Sequence, residues 1–526
     1  MTETNRNMIL AIVLSMVVIF GWQFLVAGPQ QERAARQAQI AAEQAAAANP
    51  GIATTTTGNG TVAPEATTDS AAVPTSFADR ASAVAATSRV SIDTPALVGS
   101  INLRGARLDD LQLKKYTETI DENSPIITLL TPSGAPNAYY VEQGWAAASG
   151  SGTAVPGEAT VWTVEGNDKL TPATPVVLAW NNGAGLVFRR TFAVDDNYLF
   201  TVKQTVENQS AAEVSLFPYS RIVREGTPVV SNFFVQHEGP LGVLGSSNLV
   251  SKKYSDMQGE KQVRVDNTTG WLGFGDKYWA TAVIADPTQQ INAQFTYLKP
   301  ENKDEYQASF VETNPMVVAA GATGEDTSYV FAGAKEESVI ASYESGLKID
   351  RLELLIDWGW LHFITKPMFL LLRWLYGILG NFGLAMLAVT VLVKLVFFPL
   401  ANRSYASMAA MRRVAPEMKA LQEKFKEDRA GQQQAMMELY KREKINPLSG
   451  CWPLLIQIPV FFALYTVIFT FMLGTFPAGL VIYWSWNNFL SICQQYFIMR
   501  RHGADVDLFG NILTSLGVRK ASKPAA

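Results

Sequence analysis

Cysteine and histidine are scarce in this chain of 526 residues, which contains two cysteines and three histidines. Both cysteines, Cys451 and Cys493, lie near the carboxyl terminus, so the long central region cannot be held together by disulfide bonds. That region must therefore be stabilised by an apolar core of its own. We expect the two cysteines to be small apolar packing residues.

Charged residues are absent from residues 451–499, and elsewhere the sign of the charge changes along the chain. Residues 80–351 contain 22 basic and 31 acidic residues, whereas residues 403–450 contain 10 and 6 and residues 500–526 contain 5 and 2. Basic segments beside apolar runs mark the cytoplasmic side of a membrane, so we expect the acidic region to lie outside. Neither the charge nor any motif indicates nucleic-acid binding.

The acidic region has the sequence pattern of a β protein. Short runs of alternating apolar and polar residues, such as "GLVFRRTFAV" and "NYLFTVKQTVENQ", are separated by turn residues. Alternation together with β-branched and aromatic residues predicts a large antiparallel β-sandwich. The region contains no His/Cys metal-binding spacing and no nucleophile elbow. We therefore expect a scaffold or docking domain without catalytic activity.

Residues 8–27 are uncharged and about as long as a membrane-spanning helix needs to be. We predict a retained anchor, because the run is longer than the apolar core of a cleaved signal peptide and no A-x-A site follows it. Residues 28–85 are rich in Ala, Thr, Gln, Pro and Gly and predict a flexible linker.

Further apolar segments follow the β region. Residues 349–380 contain tryptophans and scattered charges, which indicates an interfacial amphipathic helix, although its first part could be a core helix of the β domain. The uncharged 49 residues of 451–499 need two spans, with the turn at 474–478. Between residues 349–380 and 451–499, a basic stretch predicts two helices separated at Gly431.

These patterns together predict a polytopic α-helical membrane protein with a large periplasmic antiparallel β-sandwich domain and a cytoplasmic helical hairpin. The predicted segments are a cytoplasmic head (1–7), the anchor (8–27), the periplasmic linker (28–85), the β-sandwich (86–348), the interfacial helix (349–380), a span containing Lys394 (381–400), the hairpin (401–450), a span (451–473), a periplasmic turn (474–478), a last span (479–499) and a basic cytoplasmic tail (500–526).

Lys394 lies in an otherwise apolar span, where burying a charge at a helix centre costs roughly 2.5–3.5 kcal/mol. Thr390 precedes it by one helical turn, Gln457 lies in the next span, and Tyr483 and Asn487 are one turn apart in the last. Polar groups in a bilayer face protein or water, so these side chains are predicted to line a wet cavity. Snorkelling of the lysine to the interface is the alternative.

The hairpin carries apolar residues at alternating spacings of three and four, which makes a narrow seam along one helix. A methionine-rich seam suits contact with varied apolar clients, and a stalk that packs only on itself is the alternative. The methionines that we expect to recruit clients are Met411, Met418, Met436 and Met437.

Several long motifs make the chain resemble one family, the YidC membrane protein insertases of Gram-negative bacteria. The resemblance covers nearly the whole chain, and its motifs occur in the order of the family. They are "DWGWLHFITKPMF", "GNFGLAMLAVTVLVKLVFFPL", "YASMAAMR", "LYKREKINPLSGCWPLLIQIPVFFALY" and "FPAGLVIYW".

The resemblance implies a periplasmic β-supersandwich followed by an insertase core with a hydrophilic groove open to cytoplasm and lipid. A basic groove residue, usually arginine and here Lys394, would attract acidic ends of incoming proteins, and Thr390, Gln457 and Tyr483 match groove positions. The hairpin would recruit clients. Nascent membrane proteins, the ribosome and the Sec translocon are the implied partners, and no ATP, metal or other cofactor is implied.

One segment departs from the family pattern. The stretch "ALYTVIFTFMLGTFPAGLVIYW" joins the third span of the family almost directly to the end of its fifth, which leaves four spans instead of six. One wall of the groove would then be thin or missing. A different function therefore stays open, namely a membrane-anchored periplasmic scaffold or binding protein whose membrane part cannot insert clients. A transporter is disfavoured because no inverted repeat is present.

Overall fold

The structure, a computed structural model, describes residues 76–119, 121, 123–228, 237–245, 248–359, 362–425, 428–443 and 478–501. The anchor predicted at 8–27, most of the linker, the span predicted at 451–473 and the tail beyond residue 501 lie outside the described residues. Among the helices that are described, none combines the length and the apolar character needed to cross a bilayer.

The described part of the chain contains twenty β-strands. Their bounds are β1 Arg89–Asp93, β2 Leu97–Asn102, β3 Arg107–Thr117, β4 Ile126–Leu130, β5 Tyr139–Ala147, β6 Thr163–Glu165, β7 Lys169–Leu170, β8 Val176–Asn181, β9 Leu186–Val194, β10 Leu199–Asn208, β11 Val214–Glu225, β12 Gly239–Leu244, β13 Asn248–Ser251, β14 Gln262–Thr268, β15 Gly270–Gly275, β16 Trp279–Ile284, β17 Ile291–Leu298, β18 Glu305–Glu312, β19 Met316–Val318 and β20 Thr323–Ala334.

Eight α-helices and two 3-10 helices are described. The α-helices are α1 Arg80–Ala85, α2 Tyr254–Glu260, α3 Glu337–Leu347, α4 His362–Leu379, α5 Phe382–Val396, α6 Phe398–Lys424, α7 Arg429–Arg442 and α8 Ala478–Arg501, and the 3-10 helices are Pro300–Asn302 and Leu352–Leu355.

The strands form two sheets. One has eleven strands in the order β14-β17-β18-β11-β5-β3-β2-β1-β7, with β19 added beside β11 and β4 beside β3. The other has nine strands in the order β13-β12-β15-β16-β20-β10-β9-β8-β6. Neighbouring strands run antiparallel except β1 and β7, which are parallel. The prediction of a large, mostly antiparallel β domain is therefore confirmed.

The sequence of β9 shows why these strands form. Every second residue of LVFRRTFAV is buried, and the residues between them are partly exposed. Successive side chains of a strand point to opposite faces, so this alternation places one apolar face on the core and one polar face towards solvent. Strands β17 and β18 show the same burial pattern, which fixes their register as well.

The main apolar core contains side chains of both sheets and stabilises the domain. Trp145 on β5 and Trp271 on β15 come from different sheets, and both are at most 2% exposed. Phe188 on β9 and Phe331 on β20 are fully buried in the same cluster. Each such side chain contributes about 1.5–3 kcal/mol through burial, so the domain needs no disulfide bond to hold its sheets together.

The ordered domain begins earlier than the sequence suggested. Residues 77–85 were expected in the linker, yet the Phe77 amide donates to the Gly134 carbonyl at 2.8 Å. Helix α1 is capped by Asp79, and Arg80 forms an ion pair with Asp110 of β3. These contacts tie the segment to the sheet because a short capped helix and one partly buried ion pair compensate for its small apolar content.

The domain also ends later than expected, because the segment after α3 packs into the core. Ile349, Leu352 and Leu355 are at most 2% exposed and belong to the central cluster. The core-helix alternative therefore holds for the first part of the predicted interfacial helix, and the amphipathic helix itself is α4. Helix α4 exposes large apolar side chains, among them Phe363 and Trp374.

A buried carboxylate, Glu142 on β5, connects its strand to both neighbouring strands, β3 and β11. Its oxygens lie 3.2 Å from Arg107 and 2.6 Å from Arg221. Burial opposes ionisation, but the two guanidinium groups outweigh it and lower the pKa of Glu142 to about 2. This interaction is therefore kept at any pH well above 2.

Two further buried carboxyl groups, Glu312 and Asp326, behave in the opposite way, because their pKa values are raised. Glu312 ends β18 in one sheet and Asp326 lies on β20 in the other, and both are at most 9% exposed. Burial, together with the charge of Asp326, raises the pKa of Glu312 to about 8, and burial also raises the pKa of Asp326. Two carboxyl groups in this position share a proton, which joins the sheets by a hydrogen bond.

We expect the shared proton to make stability depend on pH. The ordinary pKa of Glu312 is 4.5, so between pH 4.5 and about 8 the folded state holds a proton that the unfolded state releases. The free energy of unfolding then falls as pH rises, by up to about 1.4 kcal/mol per pH unit. Glu312→Gln should flatten this fall, measured as thermal unfolding midpoints of the β domain between about pH 5 and pH 8.

The matched control is Glu325→Gln, which removes an exposed carboxylate one position before Asp326. Glu325 is 64% exposed and pairs with Lys203 at the surface. This variant should keep the pH profile of the original protein. Equal slopes for Glu312→Gln and the original protein would contradict the shared proton.

Candidate functional site

Three helices meet around Lys394. Helix α8 contacts both α5 and α6, and α5 is followed by α6 after the single residue Phe397. Asn381 caps the start of α5 by accepting from the Leu384 amide at 3.1 Å. This cap fixes the first residue of α5.

Lys394 binds a neutral partner. Its Nζ donates to Ser491 Oγ of α8 at 2.8 Å, and the side chain is half-buried. Ser491 in turn donates its one hydroxyl proton to the Asn487 carbonyl at 2.7 Å. The lone pairs of Ser491 therefore face the ammonium. No carboxylate of the described residues pairs with Lys394, and its two remaining N–H donors have no acceptor among those residues.

Thr390 lies on the same face of α5 one turn earlier, as its spacing predicted. Its side chain is only 6% exposed, and its hydroxyl donates to the Met386 carbonyl at 2.8 Å within the same helix. The hydroxyl proton is therefore already used, although the oxygen can still accept a hydrogen bond.

The structure brings together part of the predicted set. Asn487 reaches Lys394 through Ser491 and contributes its backbone carbonyl. Tyr483 lies in α8 one turn before Asn487, but its side chain is not among those described, and Gln457 lies outside the described residues.

Sequence reasoning missed Ser491. It follows Asn487 by four residues and Tyr483 by eight, so all three share one face of α8. The spacing of Tyr483, Asn487 and Ser491 therefore could have identified Ser491 as a member of the site. It was overlooked because a serine in an apolar helix is inconspicuous when it satisfies its own hydroxyl in the preceding turn.

Helices α6 and α7 form the predicted hairpin. Val414 and Leu439 are buried at 6% and 3% exposure, and the Tyr440 hydroxyl lies 3.9 Å from Met418 Sδ across the pair. Arg442 of α7 pairs with Glu417 of α6 at 2.5 Å. The Met418–Tyr440 and Glu417–Arg442 contacts join the two helices, and both roles of the seam, client contact and a self-packing stalk, stay predictions.

The four methionines do not share one environment. Met418 and Met436 are half-buried, whereas Met437 is 55% exposed. The side chain of Met411 is not among those described. Of the methionines with a described side chain, Met437 is the one most available to a client.

The prediction that Gly431 separates the two helices is wrong. Helix α6 ends at Lys424, and α7 begins at Arg429 with Asp428 as its cap. The Asp428 side chain accepts from the Gly431 amide at 3.0 Å, so Gly431 lies in the first turn of α7. A capping aspartate satisfies a free amide at this point, and one glycine costs a helix only about 1 kcal/mol.

Helix α8 has an uncovered apolar face. Phe489, Ile492 and Phe497 are 55%, 49% and 58% exposed, and Cys493 on the same face is exposed as a free thiol. The expectation that Cys493 packs inside the protein is therefore wrong.

Comparisons with known proteins identify the family of the chain. A family model described as the YidC periplasmic domain matches residues 89–371, and one described as a 60Kd inner membrane protein matches residues 374–470. The protein of Mesorhizobium japonicum called membrane protein insertase YidC is 43% identical over 610 aligned residues, which cover 99% of this chain and 100% of that protein. The chain belongs to the YidC family of membrane protein insertases.

A second YidC relative supports the assignment and shows a difference in length between this chain and its relatives. The Nitrobacter hamburgensis protein of the same name is 42% identical over 621 aligned residues, with full coverage of both chains. Alignments of 610 and 621 positions exceed the 526 residues of this chain. These YidC relatives therefore contain residues that this chain lacks.

Solved structures give weaker matches. A crystal structure of an active YidC insertase is 16% identical and covers 78% of this chain and 92% of that one, with a TM-score of 0.26. A galactose mutarotase-like protein from Lactobacillus casei is 11% identical and covers 47% of this chain and 100% of that one, with a TM-score of 0.33. The YidC assignment rests on the sequence comparisons.

The cap at Asp428 generates a prediction about the hairpin tip. Asp428→Ala removes the acceptor of the Gly431 amide, and loss of such a cap costs about 1 kcal/mol. The tip should then open more often, so trypsin should cut after Lys424 about five times faster. The measurement is the cleavage rate of the purified chain in detergent.

Asp428→Asn is the control, because asparagine also caps helices and lacks the charge. It should be cut at the rate of the original protein. If alanine and asparagine behave alike, the cap does not hold the tip closed.

Proposed function

We propose that this chain captures apolar client segments at the intramembrane face formed by α5 and α8 and releases them into the bilayer. The observation that carries the proposal is the Lys394 ammonium in an apolar helix, held by Ser491 and left without a carboxylate partner among the described residues. A structural lysine would be expected to pair with an acid. A lysine that waits for an acidic client keeps its charge unneutralised.

The attraction of such a cation is strong enough to select clients. Two unit charges about 5 Å apart attract by about 3 kcal/mol at an effective dielectric constant of 20. Acidic residues near the end of a client segment would supply the opposite charge. The apolar remainder of the client would then leave the site for lipid, because burial of its surface drives insertion without ATP.

Thr390, Gln457, Tyr483 and Asn487 complete the proposed groove. Thr390 and Asn487 lie within one turn of the Lys394–Ser491 contact on their own helices, which supports placing them together. Gln457 and Tyr483 join them through the family resemblance. Lysine would act as a point charge in this groove, where the arginine usual in the family would present a planar fork.

The hairpin of α6 and α7 is proposed to recruit clients on the cytoplasmic side. Its basic composition supports that side, and the exposed Met437 supplies a flexible apolar contact. The acidic β domain would lie in the periplasm, so that the anchor, the segment 381–400 and the two segments within 451–499 cross the inner membrane. Work beside the Sec translocon and the ribosome belongs to the same proposal.

Charge removal at Lys394 tests the role of the groove. Lys394→Met keeps the length of the side chain and removes the charge. Insertion of a short single-span client with an acidic tail should fall about tenfold, which corresponds to about 1.4 kcal/mol of lost attraction. Insertion into liposomes containing the purified chain is scored by protection of the client from protease.

Lys394→Arg should restore insertion because it restores the charge. A client with a neutral tail should insert equally well with all three proteins. If the acidic client also inserts equally with Lys394→Met, the lysine only snorkels to the interface and the groove role is wrong. If the original protein inserts no client although it is folded, the anchored-scaffold alternative is correct.

A further inference from the structure

A cleft of about 510 Å³ opens where the β domain meets the amphipathic helix. Helix α3, the turn that follows it, the 3-10 helix Leu352–Leu355 and the start of α4 form its walls. We call it the α3–α4 cleft. Its volume lies within the range of small-molecule sites, and it is separate from the face that holds Lys394.

Two buried donors in the walls lack a partner. Arg351 Nη2 and Trp358 Nε1 are buried and donate to no acceptor among the described residues. Both residues line the α3–α4 cleft. A buried donor without an acceptor is unfavourable, so an oxygen-rich ligand that supplied acceptors to both would be bound favourably. A phosphate group has the required oxygens.

The same walls carry charges of both signs. Lys366 is paired with Glu353 and Arg373 with Glu337. Asp350 lies 3.6 Å from Arg351 Nε, and Glu344 accepts from the Glu353 amide at 2.8 Å. A simple anion would match only the basic groups, whereas a ligand with a phosphate and an ammonium would match both signs. The charged residues of the walls are Glu337, Glu344, Asp350 and Glu353 against Lys348, Arg351 and Lys366.

The neighbourhood of the cleft is apolar on one side. Helix α4 begins beside it and exposes Phe363, Trp374 and Ile378 at 64%, 61% and 62%. The Trp358 ring packs edge-on against Phe369 of α4, with ring centroids 5.6 Å apart. Tryptophan beside an amphipathic helix is typical of the headgroup level of a membrane, which places acyl chains along α4 and a headgroup at the cleft.

We propose that the α3–α4 cleft binds the phosphoethanolamine headgroup of a membrane lipid. The phosphate accepts from Arg351 and Trp358, and the ammonium donates to the carboxylates of Glu344 and Asp350. A choline headgroup has no N–H to donate and fits less well. The inference rests on the proposed membrane location of the chain and assigns a lipid contact to the β domain.

The test uses the full chain, purified in detergent and titrated calorimetrically with water-soluble O-phosphoethanolamine, phosphocholine and inorganic phosphate. Phosphoethanolamine should bind at least tenfold more tightly than the other two. The lipid source is tested by native mass spectrometry, where phosphatidylethanolamine should stay bound in preference to phosphatidylcholine and phosphatidylglycerol. Equal binding of phosphate alone, or of the choline compounds, would overturn the proposal.

Variants locate the site. Trp358→Phe keeps an aromatic ring but removes the Nε1–H donor, and Arg351→Gln removes the charge. Each should weaken phosphoethanolamine binding about tenfold. Trp374→Phe is the matched control on α4, since Trp374 does not line the cleft, and it should leave binding unchanged. Equal binding by all three folded variants would contradict the assignment. Titration in detergent involves no insertion. A failure of the Lys394 insertion experiment would therefore not affect the headgroup result, and a failure of headgroup binding would not affect the insertion result.

Discussion

Packing of two sheets across one apolar core is the contact on which the rest of the described structure depends. The sheets meet through side chains from both, such as Trp145 and Trp271, and no disulfide bond assists them. The core continues into the segment after α3, where Leu352 and Leu355 are buried. This continuation fixes the position at which the chain leaves the β domain. The walls of the α3–α4 cleft and the start of α4 follow from that fixed exit.

Buried charges are accommodated in two different ways. In the β domain, Glu142 is compensated by two arginines and Glu312 by a shared proton. Near α5 and α8, the partner of Lys394 among the described residues is the neutral Ser491. Breaking the first arrangement is destabilising, since it leaves a buried charge without its partner. The second leaves a charge available, which is the arrangement expected where a ligand arrives and departs.

Sequence patterns predicted the parts of the fold that depend on local periodicity. The alternation in β9 was enough to predict a half-buried strand, and the spacing of Thr390 and Lys394 placed both on one face of α5. The pairing of Glu312 with Asp326 could not be predicted, because it joins strands of different sheets whose contact depends on the whole topology. The limits of the β domain were missed for a similar reason, since burial of Ile349 is decided by distant residues.

The joint between α5 and α6 consists of Phe397 alone, which caps the end of one helix and the beginning of the next. A joint of one residue has only two soft backbone angles. Helix α6 has 27 residues and is therefore about 40 Å long, so a change of ten degrees at the joint moves its far end by about 7 Å. Lys394 is three residues from the joint, so the same change would displace it far less. Any rotation at Phe397 would therefore be amplified at the tip of the hairpin and would leave the cation close to Ser491.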